Sequence, residues 1–246
     1  MNTVLITGCS SGFGLETARH FLAQGWQVVA TMRTPHDDVL PPSERLRVLP
    51  LDVTDADSIR ACIAAAGPVD VLVNNAGIGL LGALEGIPLT RVREIFETNT
   101  FGTMAMTQAV LPQMRERGAG VVVNVTSSVT LKALPLLAVY TASKAAVNAF
   151  TEVLALELAP FGVQARVVLP GRSPTTQFGE NARSRMDGTI PDAYADLAGR
   201  VFAGWAQSTD EVTHAQDVAQ AVWRAATDPA CPPRLAAGAD AVALMP

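Results

Sequence analysis

The chain has 246 residues, 49% of them hydrophobic and 17% charged; that length and apolarity suit one sizeable globular domain and argue against disorder. A formal charge of −5 offers no basic stripe to nucleic-acid phosphates, which excludes nucleic acid as a partner. Three scattered cysteines (Cys9, Cys62, Cys231), three scattered histidines, no basic leader and no long apolar run imply no disulfide framework, no metal, no membrane span and a cytoplasmic, reducing setting.

Short aliphatic runs alternate with longer amphipathic segments, the pattern of βαβ units that build a parallel sheet. Thr3–Thr7 reads as the first strand and Leu15–Gln24 as a helix closed by Gly25. Gln27–Thr31 and Arg47–Leu51 follow as strands, then a helix over Asp55–Ala66 with Thr54 as its N-cap and Gly67 beyond its end. Val69–Val73 and Val121–Val125 read as buried strands separated by a helical stretch from Thr90 to Arg117. A helix spans Ala138–Leu158, ending near Pro160, and Val163–Leu169 is the sixth strand. From Gly171 to Thr213 no periodicity is sustained; the segment reads as a lid, a binding loop or a set of short helices. Ala215–Thr227 is helical, and Pro232–Gly238 leads into an edge strand. No linker divides the chain, so the expectation is a single α/β domain over residues 1–246 with a substrate loop near 171–213.

Between the first strand and the first helix lies Thr7-Gly8-Cys9-Ser10-Ser11-Gly12-Phe13-Gly14. A glycine-rich turn at a helix N-terminus gathers free backbone N–H groups at the positive end of the helix dipole and lets a pyrophosphate approach closely. Such a turn can also be purely structural. The same residues satisfy Gly8-x-Ser10-x-Gly12, the nucleophile elbow of a serine hydrolase, with His214 as a late partner. That alternative is weakened by position, because no earlier strand and loop remain to supply a second oxyanion donor.

Of only two tyrosines and two lysines, Tyr140 and Lys144 stand four apart. On a helix these positions share a face, and a neighbouring cation favours phenolate, which would suit the phenol to acid or base work. The plain reading is a core tyrosine beside a solvated lysine. Around the pair stand Thr7-Gly8-x-x-x-Gly12-x-Gly14, Asn74-Asn75-Ala76-Gly77, Ser127 thirteen residues before Tyr140, and Pro170-Gly171. Together and in this order they resemble the short-chain dehydrogenase/reductase family over nearly the whole chain. Val29–Arg33, Leu51–Asp55 and Val69–Leu84 look most like the group of 17β-hydroxysteroid and retinol dehydrogenases and their bacterial relatives.

The resemblance implies a doubly wound parallel sheet of Rossmann type with a dinucleotide at the strands' carboxyl ends. It implies Tyr140 as proton donor or acceptor, Lys144 lowering its pKa while holding the nicotinamide ribose, Ser127 bonding the substrate oxygen, and Asn99 anchoring a water of the proton relay. Gly8, Ser10, Ser11, Gly12, Phe13 and Gly14 would face the cofactor's phosphates. Asp52 and Val53 would flank the adenine, while Asn75, Ala76 and Gly77 would line the cleft near the adenosine ribose. Pro170 and Gly171 would border the nicotinamide, with Thr175 as the match for the contact to its carboxamide. The resemblance also implies a homodimer or homotetramer.

An acidic residue at the end of the second strand would select NAD(H); here stand Met32 and Arg33, and a guanidinium suits the 2′-phosphate of NADP(H). NAD(H) stays the alternative, with Asp37 or Asp38 folding back to the ribose. Leu131, Leu134, Leu136 and Leu137, with Tyr194, Phe202 and Trp205, suggest an apolar pocket for a hydrophobic ketone, aldehyde or alcohol, while Arg183, Arg185 and Asp187 could face solvent. The competing reading is a dinucleotide-binding sensor without chemistry.

Overall fold

The computed structural model describes residues 2–36, 39–176 and 178–245. In chain order its first half contains β1 (Thr3–Ile6), α1 (Gly12–Ala23), β2 (Gln27–Met32), β3 (Leu46–Pro50), α2 (Ala56–Ala66) and β4 (Val71–Asn74). Next, α3 (Leu89–Phe96) runs through a π-helical turn, Glu97–Phe101, into α4 (Gly102–Arg117), and β5 (Gly120–Val125) follows. α5 (Ala138–Leu158), β6 (Val163–Pro170), α6 (Phe178–Arg183), α7 (Ala195–Gln207), α8 (Ala215–Thr227), β7 (Arg234–Ala237) and α9 (Ala239–Val242) complete it.

All seven strands are parallel in one sheet of order β3-β2-β1-β4-β5-β6-β7. The strand order reverses between β1 and β4, which opens a crevice at their carboxyl ends. Successive side chains of a strand serve opposite faces. Val4 and Ile6 therefore pack with Phe21 of α1 and Val218 and Val222 of α8, whereas Leu5 packs with Ile59 of α2 and Met106 and Val110 of α4. With both faces covered by helices, the strands are mostly apolar, and this is the doubly wound α/β architecture.

Three elements differ from the sequence expectation, and in a fourth place the structure selects among its alternatives. α1 begins at Gly12 rather than Leu15, because the turn glycines themselves form its first turn. Asp55, not Thr54, caps α2: its carboxylate accepts from the N–H groups of Asp57 at 2.8 Å and Ser58 at 3.4 Å, while the Thr54 hydroxyl donates to Asp52 at 2.7 Å. The Thr90–Arg117 stretch is not one regular helix, since the π turn divides it. The 171–213 segment contains α6, a 3-10 turn at Asp192–Tyr194 and α7.

That segment is fastened to the body at its middle. The Thr189 hydroxyl donates to the Leu81 carbonyl at 2.9 Å and the Tyr194 hydroxyl to the Glu85 carboxylate at 2.8 Å. Leu136, at φ 66°, adopts a left-handed conformation costly for a branched side chain; its carbonyl accepts from Gly82 N–H at 2.9 Å. Its side chain packs with Ala83 and Ala198 beneath α7.

Candidate active site

The glycine turn is held open by its neighbours. The Thr7 hydroxyl accepts from the N–H groups of Asn75 at 3.0 Å and Ala76 at 2.9 Å, and the Asn75 amide donates to the carbonyls of Thr7 at 3.0 Å and Gly8 at 3.1 Å. These bonds staple the end of β1 to the loop after β4. Gly8 sits at φ +75°, and a Cβ there would lie 2.9 Å from the Ala76 Cα. A Cβ at Gly14 would overlap the Gly8 carbonyl oxygen. No acidic residue occupies the first turn of α1, and Ser11 makes no side-chain cap there. Backbone N–H groups at a positive helix end, with space kept by glycines, fit an anionic diphosphate. Gly14→Ala should consequently lower the melting temperature by several degrees, as roughly 1–3 kcal/mol of overpacking would, and weaken dinucleotide binding. Thermal melts with and without dinucleotide check this; unchanged melts refute the close contact.

The chemistry-bearing residues converge from three elements. Ser127 follows β5 and begins a 3-10 turn, Ser128–Thr130, and its hydroxyl accepts from Val129 N–H at 3.3 Å. Tyr140 and Lys144 lie on α5, buried at 6% and 5% exposure. The hydroxyls of Tyr140 and Ser127 are hydrogen-bonded. Burial raises the phenol's pKa well above its ordinary value, and the Ser127 bond offsets part of this. The sequence reading made Lys144 the lowering agent. In the chain itself burial weakens that cation, dropping the ammonium to about 8, and Lys144 Nζ donates to the Val125 carbonyl at 3.1 Å.

Asn99, fully buried on the π turn, accepts from Ile78 N–H at 2.8 Å and donates to the Ile78 carbonyl at 2.9 Å and to Ser143 Oγ at 3.1 Å. A Cβ at Gly77 would stand 3.2 Å from both Asn99 Oδ1 and Lys144 Nζ. Asn99 therefore fixes the strip of backbone beside Lys144.

One cleft joins these groups. Gly8, Ser10, Ser11, Gly12, Phe13, Arg33, Asp52, Val53, Asn75, Ala76, Gly77, Ser127, Tyr140, Lys144, Pro170 and Gly171 all line it. Gly14 and Asn99 stand behind its wall. Thr175 is exposed and outside the lining; the tight turn after Pro174, in which Thr176 N–H donates to the Ser173 carbonyl at 3.4 Å, presents Thr176 instead, its side chain facing Gly12. At the other end, hydrogen bonds from Thr54, aided by the charge of Arg33, hold the Asp52 carboxyl below its usual range. Asp37 and Asp38 lie outside the described residues.

Leu134, Leu137, Phe202, Trp205, Arg183 and Arg185 also border the cleft, whereas Leu131, Leu136, Tyr194 and Asp187 do not. Sequence reasoning missed Phe178, whose ring lies 5.5 Å from that of Tyr140. It also missed the clasp at the root of the loop. The Asp240 carboxylate accepts from Arg172 N–H at 2.7 Å and from the Thr213 hydroxyl at 2.6 Å, and that hydroxyl accepts from Gly171 N–H at 3.0 Å. Ser10 and His214 are not brought together: His214 caps α8 beside a different groove. Among the described residues no cluster of three or more His, Cys, Asp or Glu is placed to hold a metal ion, and no helix is long and apolar enough to cross a membrane.

Comparison with known proteins agrees with this geometry. The family model for short chain dehydrogenases matches residues 2–187. Retinol dehydrogenase 8 of Bos taurus is 38% identical over 235 residues, covering 85% of this chain and 75% of its own. A short-chain dehydrogenase from Streptomyces avermitilis superposes with a TM-score of 0.83 at 35% identity, covering 99% of this chain and 90% of the other. A serine dehydrogenase in its closed form with NADP+ superposes at 0.81 and 29% identity, covering 96% and 94%. With its sheet, glycine turn and Ser127–Tyr140–Lys144 constellation, the chain belongs to the short-chain dehydrogenases, as an oxidoreductase of the group that includes retinol and 17β-hydroxysteroid dehydrogenases.

Proposed function

We propose that the protein interconverts a ketone or aldehyde and its alcohol with NADP(H), in the cleft of about 1760 Å³ described above. The observation that carries this reading is the meeting of the Ser127 and Tyr140 hydroxyls and the Lys144 ammonium beside a glycine-walled anion cradle. The nicotinamide, when bound, supplies the hydride. Tyr140 gives or takes the proton at the carbonyl oxygen, Ser127 holds that oxygen, and Lys144 holds the ribose hydroxyls. Asn99 serves the relay by fixing Ile78 and Gly77 against Lys144, since its side-chain amide is already committed to Ile78 and Ser143. The turn residues Gly8 to Gly14 receive the pyrophosphate, Asp52 and Val53 flank the adenine, and Asn75 to Gly77 border the adenosine ribose. Pro170, Gly171 and Thr176 border the nicotinamide.

Preference for NADP(H) over NAD(H) is supported by Arg33, exposed at the cleft's edge where an NAD site would carry an acid. The NADP+ held by the serine dehydrogenase neighbour points the same way. Arg33→Ala should lower kcat/KM with NADPH about ten- to a hundredfold, the worth of charge-assisted bonds to a phosphate, while leaving NADH nearly unaffected. Steady-state kinetics with both cofactors is the check. Equal or better use of NADH by the unaltered protein would sink the argument.

An apolar substrate is supported by Leu134, Leu137, Phe178, Phe202 and Trp205 in the lining. Turnover across ketones of graded size and polarity tests it; a uniform preference for small polar carbonyls would refute it. Association of copies into a dimer or tetramer through the α4 and α5 faces is supported by Val153 and Leu156, exposed at 57% and 76%. Three free thiols, with burial pushing Cys9 up to about 12, suit a reducing, cytoplasmic compartment.

A further inference from the structure

The helix face that bears Tyr140 and Lys144 bears a third buried polar side chain one turn further on. Asn148 is 5% exposed. Its amide Nδ2 donates to the Thr130 hydroxyl at 3.0 Å, and that hydroxyl donates to the Ser127 carbonyl at 2.9 Å. Thr130 has a single proton and gives it to Ser127, so toward Asn148 it can only accept; this fixes which end of the amide faces it. Asn148 Oδ1 is buried with no hydrogen-bond partner among the described residues. An apolar side chain of that shape would avoid the unpaired acceptor, so stability alone does not account for an amide there.

What the amide does is join two parts that arrive separately. Ser127 comes off the sheet at the end of β5, Tyr140 comes on α5, and the chain between them passes through the left-handed Leu136. We propose that Asn148 is a positioning residue: through Thr130 it sets the 3-10 turn that carries Ser127, and so keeps the Ser127 hydroxyl on that of Tyr140. This rests on the reading of Ser127 and Tyr140 as the proton-handling pair. Thr130 is half-buried and shares the role.

The test is a double-mutant cycle. Asn148→Ala, and the gentler, isosteric Thr130→Val, are each measured in the natural chain and in a Ser127→Ala background, with NADPH and a carbonyl that the natural protein reduces. In the natural background each lowers kcat about tenfold and leaves the KM for NADPH within about twofold. In the Ser127→Ala background the further loss is under about twofold. Equal losses in both backgrounds, no loss in the natural one, or a rise in the KM for NADPH that accounts for the loss overturns the positioning role alone. A Ser127→Ala variant with undiminished turnover overturns the pair and the positioning role together.

Discussion

Tyr140→Phe is expected to lower kcat by about 10²–10⁴-fold, the usual worth of a positioned general acid or base, with dinucleotide affinity nearly unchanged. The substitution keeps the ring, its 6% exposure and its contact with Phe178, and removes only the hydroxyl that is hydrogen-bonded to Ser127. Burial holds this phenol neutral and protonated far above neutrality, so it keeps its proton as a donor throughout the physiological range. Steady-state rates with a reducible ketone, together with NADPH titration by fluorescence, give the check. A variant that retains more than about a tenth of the rate would remove Tyr140 from the proton transfer. Of the chain's two tyrosines, Tyr194 lies outside the cleft with its hydroxyl on Glu85, so it offers no substitute donor.

The second large effect is expected from Lys144→Met, and it has two signs. Turnover should fall by at least about 10²-fold, because the nicotinamide ribose loses the ammonium that holds its hydroxyls beside Tyr140. Stability at neutral pH should rise. The ammonium's pKa is lowered by burial from 10.5 to about 8, and its hydrogen bond goes to a carbonyl rather than a carboxylate. In the unfolded chain the group keeps its proton to about 10.4, so between the two values the unfolded state binds more protons and stability rises with pH. As pH falls through about 8 that contribution is lost, and at pH 7 the folded protein carries the full cost of a buried cation. The shift corresponds to a cost on the order of 3 kcal/mol. Methionine fills similar space without charge and should raise the melting temperature at pH 7 by several degrees, at about 2–4 °C per kcal/mol for a chain of this size. Melts at pH 7 and pH 10 should show the gap narrowing at the higher value. A variant less stable than the parent at pH 7 would contradict the burial argument.

Features written within a few consecutive residues were legible in the sequence. Glycines before a helix, two adjacent asparagines after a strand and a phenol four residues from an amine describe local geometry, and they mark both the crevice and its chemistry. Features set by long-range packing were not. Phe178 meets Tyr140 across 38 positions of chain, and Asp240 reaches back to Arg172. That Thr176 rather than Thr175 lines the cleft follows from the turn through Ser173–Thr176, visible only as backbone. α7 carries apolar residues at Leu197, Ala198, Val201, Phe202 and Trp205, a helical spacing that could have been found, but Gly199 and Gly204 interrupt it. How far burial weakens the Lys144 cation was not legible, because spacing gives proximity and says nothing of desolvation.

The π turn at Glu97–Phe101 adds one residue to an otherwise continuous helical rod, and one residue is worth about 100° of rotation. It works as a gear between α3 and α4. Removing a single residue there would let the rod run as regular α-helix, with α3 turned by about that angle against α4. Asn99 would swing off Ile78, and Glu94, which accepts a bond from Arg185 of the loop, would leave the cleft's rim. The length of this stretch cannot drift without disengaging the wall behind Lys144 and the Arg185 contact that ties the loop to Glu94.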